Sequence, residues 1–170
     1  MHITRRTWAL SALTLATVLS SAQVFARNSV VKVTLWDKGA HSMEQLGHGD
    51  MMGMAMGKPG NNMAMAPMGI RLSTRTVPAG DVTFEVTNAS KSMVHEMIVS
   101  PIKNETTPLP YDKATIRADE DAAGHLGEVS ELEPGKSGTL KISLKRGRYI
   151  LYCNVPGHYV LGMWTVLNVK

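Results

Sequence analysis

The most informative stretch of the sequence is Leu151-Tyr152-Cys153-Asn154-Val155-Pro156-Gly157-His158-Tyr159-Val160-Leu161-Gly162-Met163. It carries the one cysteine of the 170-residue chain, followed by a histidine and a methionine at the spacing Cys-x4-His-x4-Met. A second histidine, His95, lies upstream in a β-rich run, Met93-Val94-His95-Glu96-Met97. Two imidazoles, one thiolate and a weak axial thioether form the ligand set of a type 1 copper site. The sequence therefore predicts a mononuclear copper site at His95, Cys153, His158 and Met163.

The chemistry of these side chains suits copper in both of its oxidation states. Thiolate and thioether sulfur favour Cu(I), whereas imidazole accepts Cu(I) and Cu(II). Because the ligands lie between the preferences of the two ions, one electron can move with little rearrangement. Copper binding requires an ionised thiol, so protons compete with the metal as the pH falls. We expect His95 to be held by a rigid strand, since one loop cannot fix three strong ligands.

Each of the four residues also has an ordinary structural interpretation. A lone cysteine near a strand end is usually a small buried hydrophobe. A lone histidine in a strand is usually a core or surface residue with its polar atoms satisfied, and Met163 could be core. The copper interpretation is favoured because the ordinary roles would all have to apply at once. They would have to explain an ordered run of Cys, His and Met together with a strand histidine upstream.

The composition excludes several other classes of protein. One cysteine rules out an intrachain disulfide framework, Cys-pair zinc sites and iron–sulfur clusters. A hydrophobic content of 44% with 19% charged residues allows a globular core. No nucleophile–base pair, phosphate loop or catalytic carboxylate pair is recognisable, so we do not expect an enzyme.

The N-terminus, residues 1–26, is typical of a signal peptide. Arg5 and Arg6 precede an apolar stretch at 8–19, which is too short to span a bilayer comfortably. We expect cleavage after Ala26, with Ala22 as the alternative, and export by either the Sec or the twin-arginine route. Loss of the two arginines reduces the formal net charge from +4 to +2, which is too small to indicate nucleic acid. The sequence predicts a periplasmic, monomeric protein without a membrane span in its mature chain.

The mature chain, residues 27–170, alternates short β-rich runs with turns and is predicted to be one domain. Seven or eight short strands and no long helix indicate an all-β sandwich. A mixed stretch at 113–123 could form a short helix. The predicted strands lie at 29–36, 70–77, 82–87, 93–99, 128–132, 139–144, 149–153 and 164–169.

A segment of different composition, residues 41–68, follows the first predicted strand. It contains eight methionines, two histidines and five glycines without helical or strand periodicity, which predicts a flexible insertion. Neutral thioethers suit Cu(I), so the segment is a candidate for additional Cu(I) binding; the alternative is a linker with a compositional bias. The candidate ligands are His41, Met43, His48, Met51, Met52, Met54, Met56, Met63, Met65 and Met68.

Residues 70–170 resemble the cupredoxins, the small blue copper proteins. The four-residue gaps on both sides of His158 are similar to those of rusticyanin and auracyanin. The matching pieces are Val77-Pro78-Ala79-Gly80-Asp81-Val82-Thr83-Phe84, Asn88 with His95-Glu96, Leu132-Glu133-Pro134-Gly135, Gly147-Arg148-Tyr149 and the run from Cys153 to Met163.

The resemblance implies a Greek-key β-sandwich that binds copper through His95, Cys153, His158 and weakly Met163. It also implies that His158 lies near the surface as a port for electrons. Four neighbours of His158 could form an apolar docking patch, with core packing as the alternative: Pro156, Tyr159, Val160 and Leu161.

Three functions fit these observations. The first is a periplasmic copper-tolerance protein that cycles Cu(II)/Cu(I), since a cupredoxin with a Met-rich segment resembles the CopI-type proteins. The second is a one-electron carrier between periplasmic redox proteins, with the Met-rich segment incidental. The third is a copper chaperone or sequestering protein whose type 1 site is structural or sensory. The expected partners are periplasmic redox or copper-handling proteins. We expect His125 to be a loop residue outside the metal site.

Overall fold

The computed structural model of the protein describes residues 28–47 and 66–170. The predicted signal peptide, its cleavage site and the greater part of the Met-rich segment lie outside the described residues. Within the described residues most of the regular secondary structure consists of β-strands, which confirms the predicted fold class. No helix in the described part is long and apolar enough to cross a membrane.

The elements follow one another as short strands with two small helical turns. A 3-10 helix (Ala40–Gly47) comes after the first strand, and one turn of α-helix, α1 (Glu120–Ala123), comes after the seventh. The strands are β1 (Ser29–Asp37), β2 (Met68–Leu72), β3 (Thr76–Val77), β4 (Gly80–Asn88), β5 (His95–Ile102), β6 (Tyr111–Asp112), β7 (Arg117–Ala118), β8 (Gly127–Leu132), β9 (Ser137–Leu144), β10 (Gly147–Tyr152) and β11 (Trp164–Val169).

Two sheets carry the sandwich. One has the strand order β2-β1-β4-β9 and the other β3-β11-β10-β5-β8, while β6 and β7 form a separate two-stranded ribbon. β1 runs parallel to β4, and β3 runs parallel to β11; the other pairs are antiparallel. β5 and β10 are neighbours, which brings the predicted histidine strand beside the predicted cysteine strand.

The core lies between the inward faces of the two sheets. In β1, Val31, Val33 and Leu35 are buried at every second position, as expected for a strand with one apolar face. Cys153 and Met163 belong to the same buried cluster as these valines. Each fully buried aliphatic side chain stabilises the fold by about 1.5–3 kcal/mol, and two of the predicted ligands lie within this buried cluster.

The structure corrects two of the predicted elements. The single strand expected at 70–77 is wrong: β2 and β3 belong to different sheets, because Thr74 forms a turn with Thr76 and the chain crosses between sheets there. The helix at 113–123 is shorter than expected. It covers only α1, which begins where the Asp119 carboxylate accepts a hydrogen bond from the Ala122 amide and ends at Gly124.

The ends of the Met-rich segment also differ from the prediction. Residues 41–47 lie in the 3-10 helix, and Met68 is the first residue of β2. Met43 and Leu46 pack against the core, and the Ser42 hydroxyl donates to the Pro67 carbonyl at 3.2 Å. The flexible insertion predicted for 41–68 therefore has ordered ends on both sides, because apolar side chains anchor them to the sandwich.

Candidate metal centre

Three predicted ligands meet at one end of the sandwich. His95 Nδ1 lies 3.2 Å from His158 Nδ1, and His158 Nδ1 lies 3.3 Å from the Cys153 Sγ. All three residues are buried, and their donor atoms lie within 4.8 Å of one another. Metal bonds of about 2.0 Å to nitrogen and about 2.3 Å to sulfur span separations of this size.

Strands β5 and β10 and the loop between β10 and β11 determine where these side chains lie. His95 is the first residue of β5, and the ladder pairs it with Leu132 of β8. Cys153 follows directly after β10, whose last residue, Tyr152, pairs with Ile98 of β5. Met163 comes directly before β11. The β5–β10 ladder ends at the Ile98–Tyr152 pair, three residues from His95 and one from Cys153, so both residues lie at the same end of two neighbouring strands.

The loop between β10 and β11 is closed by its own backbone hydrogen bonds. The Cys153 amide donates to the Met163 carbonyl at 3.1 Å, and the Met163 amide donates to the His158 carbonyl at 3.0 Å. Gly157 has a φ of +84°, a conformation that side chains with a Cβ rarely adopt. This turn aims the imidazole of His158 back at Cys153. Met163 is fully buried, in the core cluster that also contains Cys153.

Two of the predicted ligands, Cys153 and His95, make hydrogen bonds to residues outside the ligand set. The Glu96 amide lies 3.4 Å from the Cys153 sulfur, as a donor to it. On the other side, His95 Nε2 lies 2.9 Å from the Asp37 Oδ2 at the end of β1, and both side chains are at most 2% exposed. The sequence analysis missed Asp37, because a residue 58 positions before His95 gives no local signal that the two will touch.

Burial sets the protonation of the three donors in the metal-free protein. Burial raises the pKa of the Cys153 thiol to about 12, against the smaller effect of the Glu96 amide. Burial, followed by repulsion from His95, lowers the pKa of His158 to about 4. Burial also lowers the pKa of His95, although Asp37 opposes it. At neutral pH the site therefore contains two neutral imidazoles and a protonated thiol, which must lose its proton when a metal binds.

Two asparagines brace the site. Asn88 donates to the Met93 and Leu132 carbonyls at 2.8 and 2.7 Å, which ties the end of β4 to the residue two before His95 and to the β8 partner of His95. Asn154 exchanges hydrogen bonds with the backbone of Ala118 at 2.6 and 3.0 Å. Asn88 belongs to the matched cupredoxin pieces, but the role of Asn154 was not predicted. Its position directly after Cys153 was the available signal.

The predicted surroundings of His158 differ from the structure. His158 is only 3% exposed. Three of the four residues considered for a docking patch are buried as well, so core packing is the correct alternative for Tyr159, Val160 and Leu161. Pro156 is half-buried. The Tyr159 hydroxyl also lies inside the protein, where it accepts a hydrogen bond from the Leu109 amide at 3.0 Å.

The 3-10 helix lies over the loop. A Cβ on Gly157 would come within 2.6 Å of a Leu46 methyl carbon and 3.3 Å of the Met43 Cε. Gly157 immediately precedes His158, so part of the cover over this histidine comes from the segment before β2. That cover could not be predicted from the Cys-x4-His-x4-Met pattern.

The candidate Cu(I) ligands fall into three groups. His41 is exposed, with Nδ1 2.6 Å from the Glu44 carboxylate. Met43 packs against the core and Met68 is fully buried in it, so Met68 is unavailable as a ligand on a flexible segment. The others lie outside the described residues: His48, Met51, Met52, Met54, Met56, Met63 and Met65.

His125 lies in the loop after α1, as predicted, and is exposed. Its Nε2 is 3.8 Å from Glu128, and donor atoms of Glu120, His125 and Glu128 lie within 4.8 Å of one another. Clusters of this kind are common on protein surfaces without a metal, so we assign it no role.

The buried donor set fits copper. Soft thiolate, two imidazoles and a neighbouring methionine are the ligands of type 1 sites, and the hard oxygen ligands preferred by magnesium or calcium are absent from the three converging side chains.

Comparisons with known proteins agree with this architecture. No protein-family model and no curated protein matches the sequence. Among solved structures, rusticyanin from Thiobacillus ferrooxidans aligns with a TM-score of 0.54 and 15% identity, over 86% of this chain and 79% of that chain. Reduced rusticyanin aligns with a TM-score of 0.52 and 16% identity, over 86% and 81%.

A reduced auracyanin from Roseiflexus castenholzii is 18% identical, with a TM-score of 0.49, over 86% of this chain and 99% of that chain. At these identities the rusticyanin matches establish the fold and nothing finer. The chain has the cupredoxin fold.

Proposed function

We propose that the protein binds one copper ion through His95, Cys153, His158 and Met163 and carries single electrons. The observation that carries this proposal is the convergence of a buried thiol and two buried Nδ1 atoms within 4.8 Å. A rusticyanin that aligns with a TM-score of 0.54 and 17% identity is described as a copper protein, which supports the same conclusion.

The chain's own residues would make such a site suitable for electron transfer. Bound copper would supply the Cu(II)/Cu(I) couple. The buried cluster around Cys153 excludes water, and Cys153 and His95 lie at the ends of the neighbouring strands β10 and β5, with His95 paired to Leu132 of β8. A site held rigidly in both oxidation states needs little reorganisation when one electron enters or leaves.

The visible spectrum tests this proposal. The Cu(II)-loaded protein is expected to show a strong thiolate-to-copper charge-transfer band, and Cys153→Ser is expected to abolish it. His125→Ala is the matched control, because it removes a histidine outside the proposed ligand set and should leave the band unchanged. A wild-type protein without the band, or a Cys153→Ser variant that keeps it, would contradict the assignment.

We further propose that the Met-rich segment binds additional Cu(I) and that the protein contributes to copper tolerance. The density of thioethers in the sequence supports this, since eight of the twelve methionines lie at 41–68. Because 41–47 and Met68 pack on the sandwich, the variant to make replaces methionines 51, 52, 54, 56, 63 and 65 with leucine. It should bind less Cu(I) per chain and retain the charge-transfer band. An unchanged Cu(I) stoichiometry would reduce the segment to a linker.

The cellular role separates copper tolerance from electron transport and from copper delivery. A tolerance protein predicts copper sensitivity in a deletion strain. A carrier predicts normal tolerance with reduced electron flux to a periplasmic redox partner, and a chaperone predicts loss of copper from a copper-handling partner. The proposed export is checked by N-terminal sequencing of the periplasmic protein, which should begin at Arg27; a start at Gln23 would indicate the alternative cleavage site.

A further inference from the structure

A buried carboxylate touches the proposed copper site without belonging to its ligand set. The Asp37 Oδ2 lies 2.9 Å from His95 Nε2, on the opposite side of the ring from Nδ1, which faces His158. The Asp37 side chain is only 2% exposed. The two nitrogens of His95 therefore have separate partners, one in the metal site and one in β1.

The chain holds the Asp37 carboxylate in this position from three sides. The Gly39 amide donates to its Oδ1 at 2.6 Å, and the Ser90 hydroxyl and His95 also hydrogen-bond to it. Each carboxylate oxygen thus accepts a hydrogen bond, Oδ1 from the Gly39 amide and Oδ2 from His95, and such bonds favour the ionised form of a buried carboxyl group.

We propose that Asp37 is a positioning residue that fixes His95 in the tautomer with its proton on Nε2 and biases the copper site towards Cu(II). This inference rests on the proposed copper site. An acceptor at Nε2 keeps the proton there and leaves the Nδ1 lone pair free for the metal. A carboxylate also interacts more favourably with Cu(II) than with Cu(I), because Cu(II) has one more positive charge and the surroundings screen the interaction weakly.

The reduction potential distinguishes this role from a purely structural one. Asp37→Asn keeps an oxygen acceptor and removes the charge, so the charge-transfer band should persist and the reduction potential should shift upwards. Asp81→Asn is the matched control. It removes the same charge from an exposed position at the start of β4, the end of the strand away from Asn88 and the proposed site. The reduction potential of this variant should stay at the wild-type value.

A second variant removes the acceptor together with the charge. Asp37→Ala should raise the potential as well, and it should weaken copper affinity by about 10–100-fold, the usual effect of losing such a partner of a metal-bound histidine. The asparagine variant should retain most of the affinity. An unshifted potential in Asp37→Asn would overturn the electrostatic role.

A measurement on the wild-type protein keeps the proposal testable if these variants fail to fold. In the diamagnetic Cu(I) form, nitrogen–proton correlation spectra should show a slowly exchanging, downfield proton on His95 Nε2. Absence of that proton would overturn the assignment of the tautomer. A wild-type protein without the charge-transfer band would instead refute the proposed copper site, so the two failures are distinguishable.

Discussion

Two regions that meet at the proposed copper site differ in how their roles are encoded. The ligand loop, residues 153–163, contains three of the proposed ligands within one short stretch. The covering segment, residues 37–47, contributes Asp37 beneath His95, and Met43 and Leu46 over Gly157. The loop supplies three of the four proposed donor atoms, and His95 of β5 supplies the fourth. The covering segment supplies part of their surroundings, a carboxylate at His95 and apolar side chains at Gly157. Most of the donors therefore lie in one short stretch, while their surroundings come from residues distant along the chain.

The pH dependence of copper affinity should be the largest effect, and it tests the protonation state of the Cys153 thiol in the ligand loop. Between about pH 7 and pH 9 both imidazoles are neutral, the Cys153 thiol is protonated and Asp37 is ionised before copper binds. Binding then releases one proton, so the affinity should rise about tenfold per pH unit. Competition titrations against a chelator of known affinity measure the slope. A flat profile would show that the loop thiol is already ionised without the metal.

Substitution of Gly157 probes the contact between the two regions. In Gly157→Ala the left-handed backbone costs about 1–2 kcal/mol, and the clash with Leu46 adds about 1–3 kcal/mol. Gly135→Ala is the matched control, since Gly135 has a φ of +75° but open space around a Cβ. Denaturant unfolding should show a larger loss of stability at Gly157. Equal losses would mean that the covering segment does not press on the loop.

Truncation of Leu46 should have the smallest effect on stability, about 1 kcal/mol, because this side chain is only partly buried. Opening the cover beside His158 should nevertheless speed reduction of the Cu(II) protein by a small polar reductant such as ascorbate. Leu140→Ala removes a partly buried leucine from β9 and serves as the control.

Stopped-flow decay of the charge-transfer band gives the rate. If Leu46→Ala and Leu140→Ala reduce at the same rate, the covering segment does not limit access to the site.

Local pattern predicted much of this protein because strands with one buried face alternate in polarity. β11 has the predicted bounds, and β1 and β8 differ from prediction by a single residue at one end. The break between β2 and β3 was missed, since continuous alternation hides a crossover from one sheet to the other. The helix predicted at 113–123 was too long at its N-terminal end, because the capping residue Asp119 lies inside that stretch; its C-terminal end, before Gly124, was predicted correctly.

The candidate site divides in the same way. The four proposed ligands follow from residue types in the sequence, because the loop holds Cys153, His158 and Met163 at a regular spacing and His95 stands in a β-rich run upstream. The folded structure was needed to show that Asp37 pairs with His95, that Leu46 lies over Gly157 and that Tyr159, Val160 and Leu161 belong to the core. These contacts join residues that are far apart along the chain or depend on which face of a loop meets the sandwich. They arise from packing, which no local pattern of residues specifies.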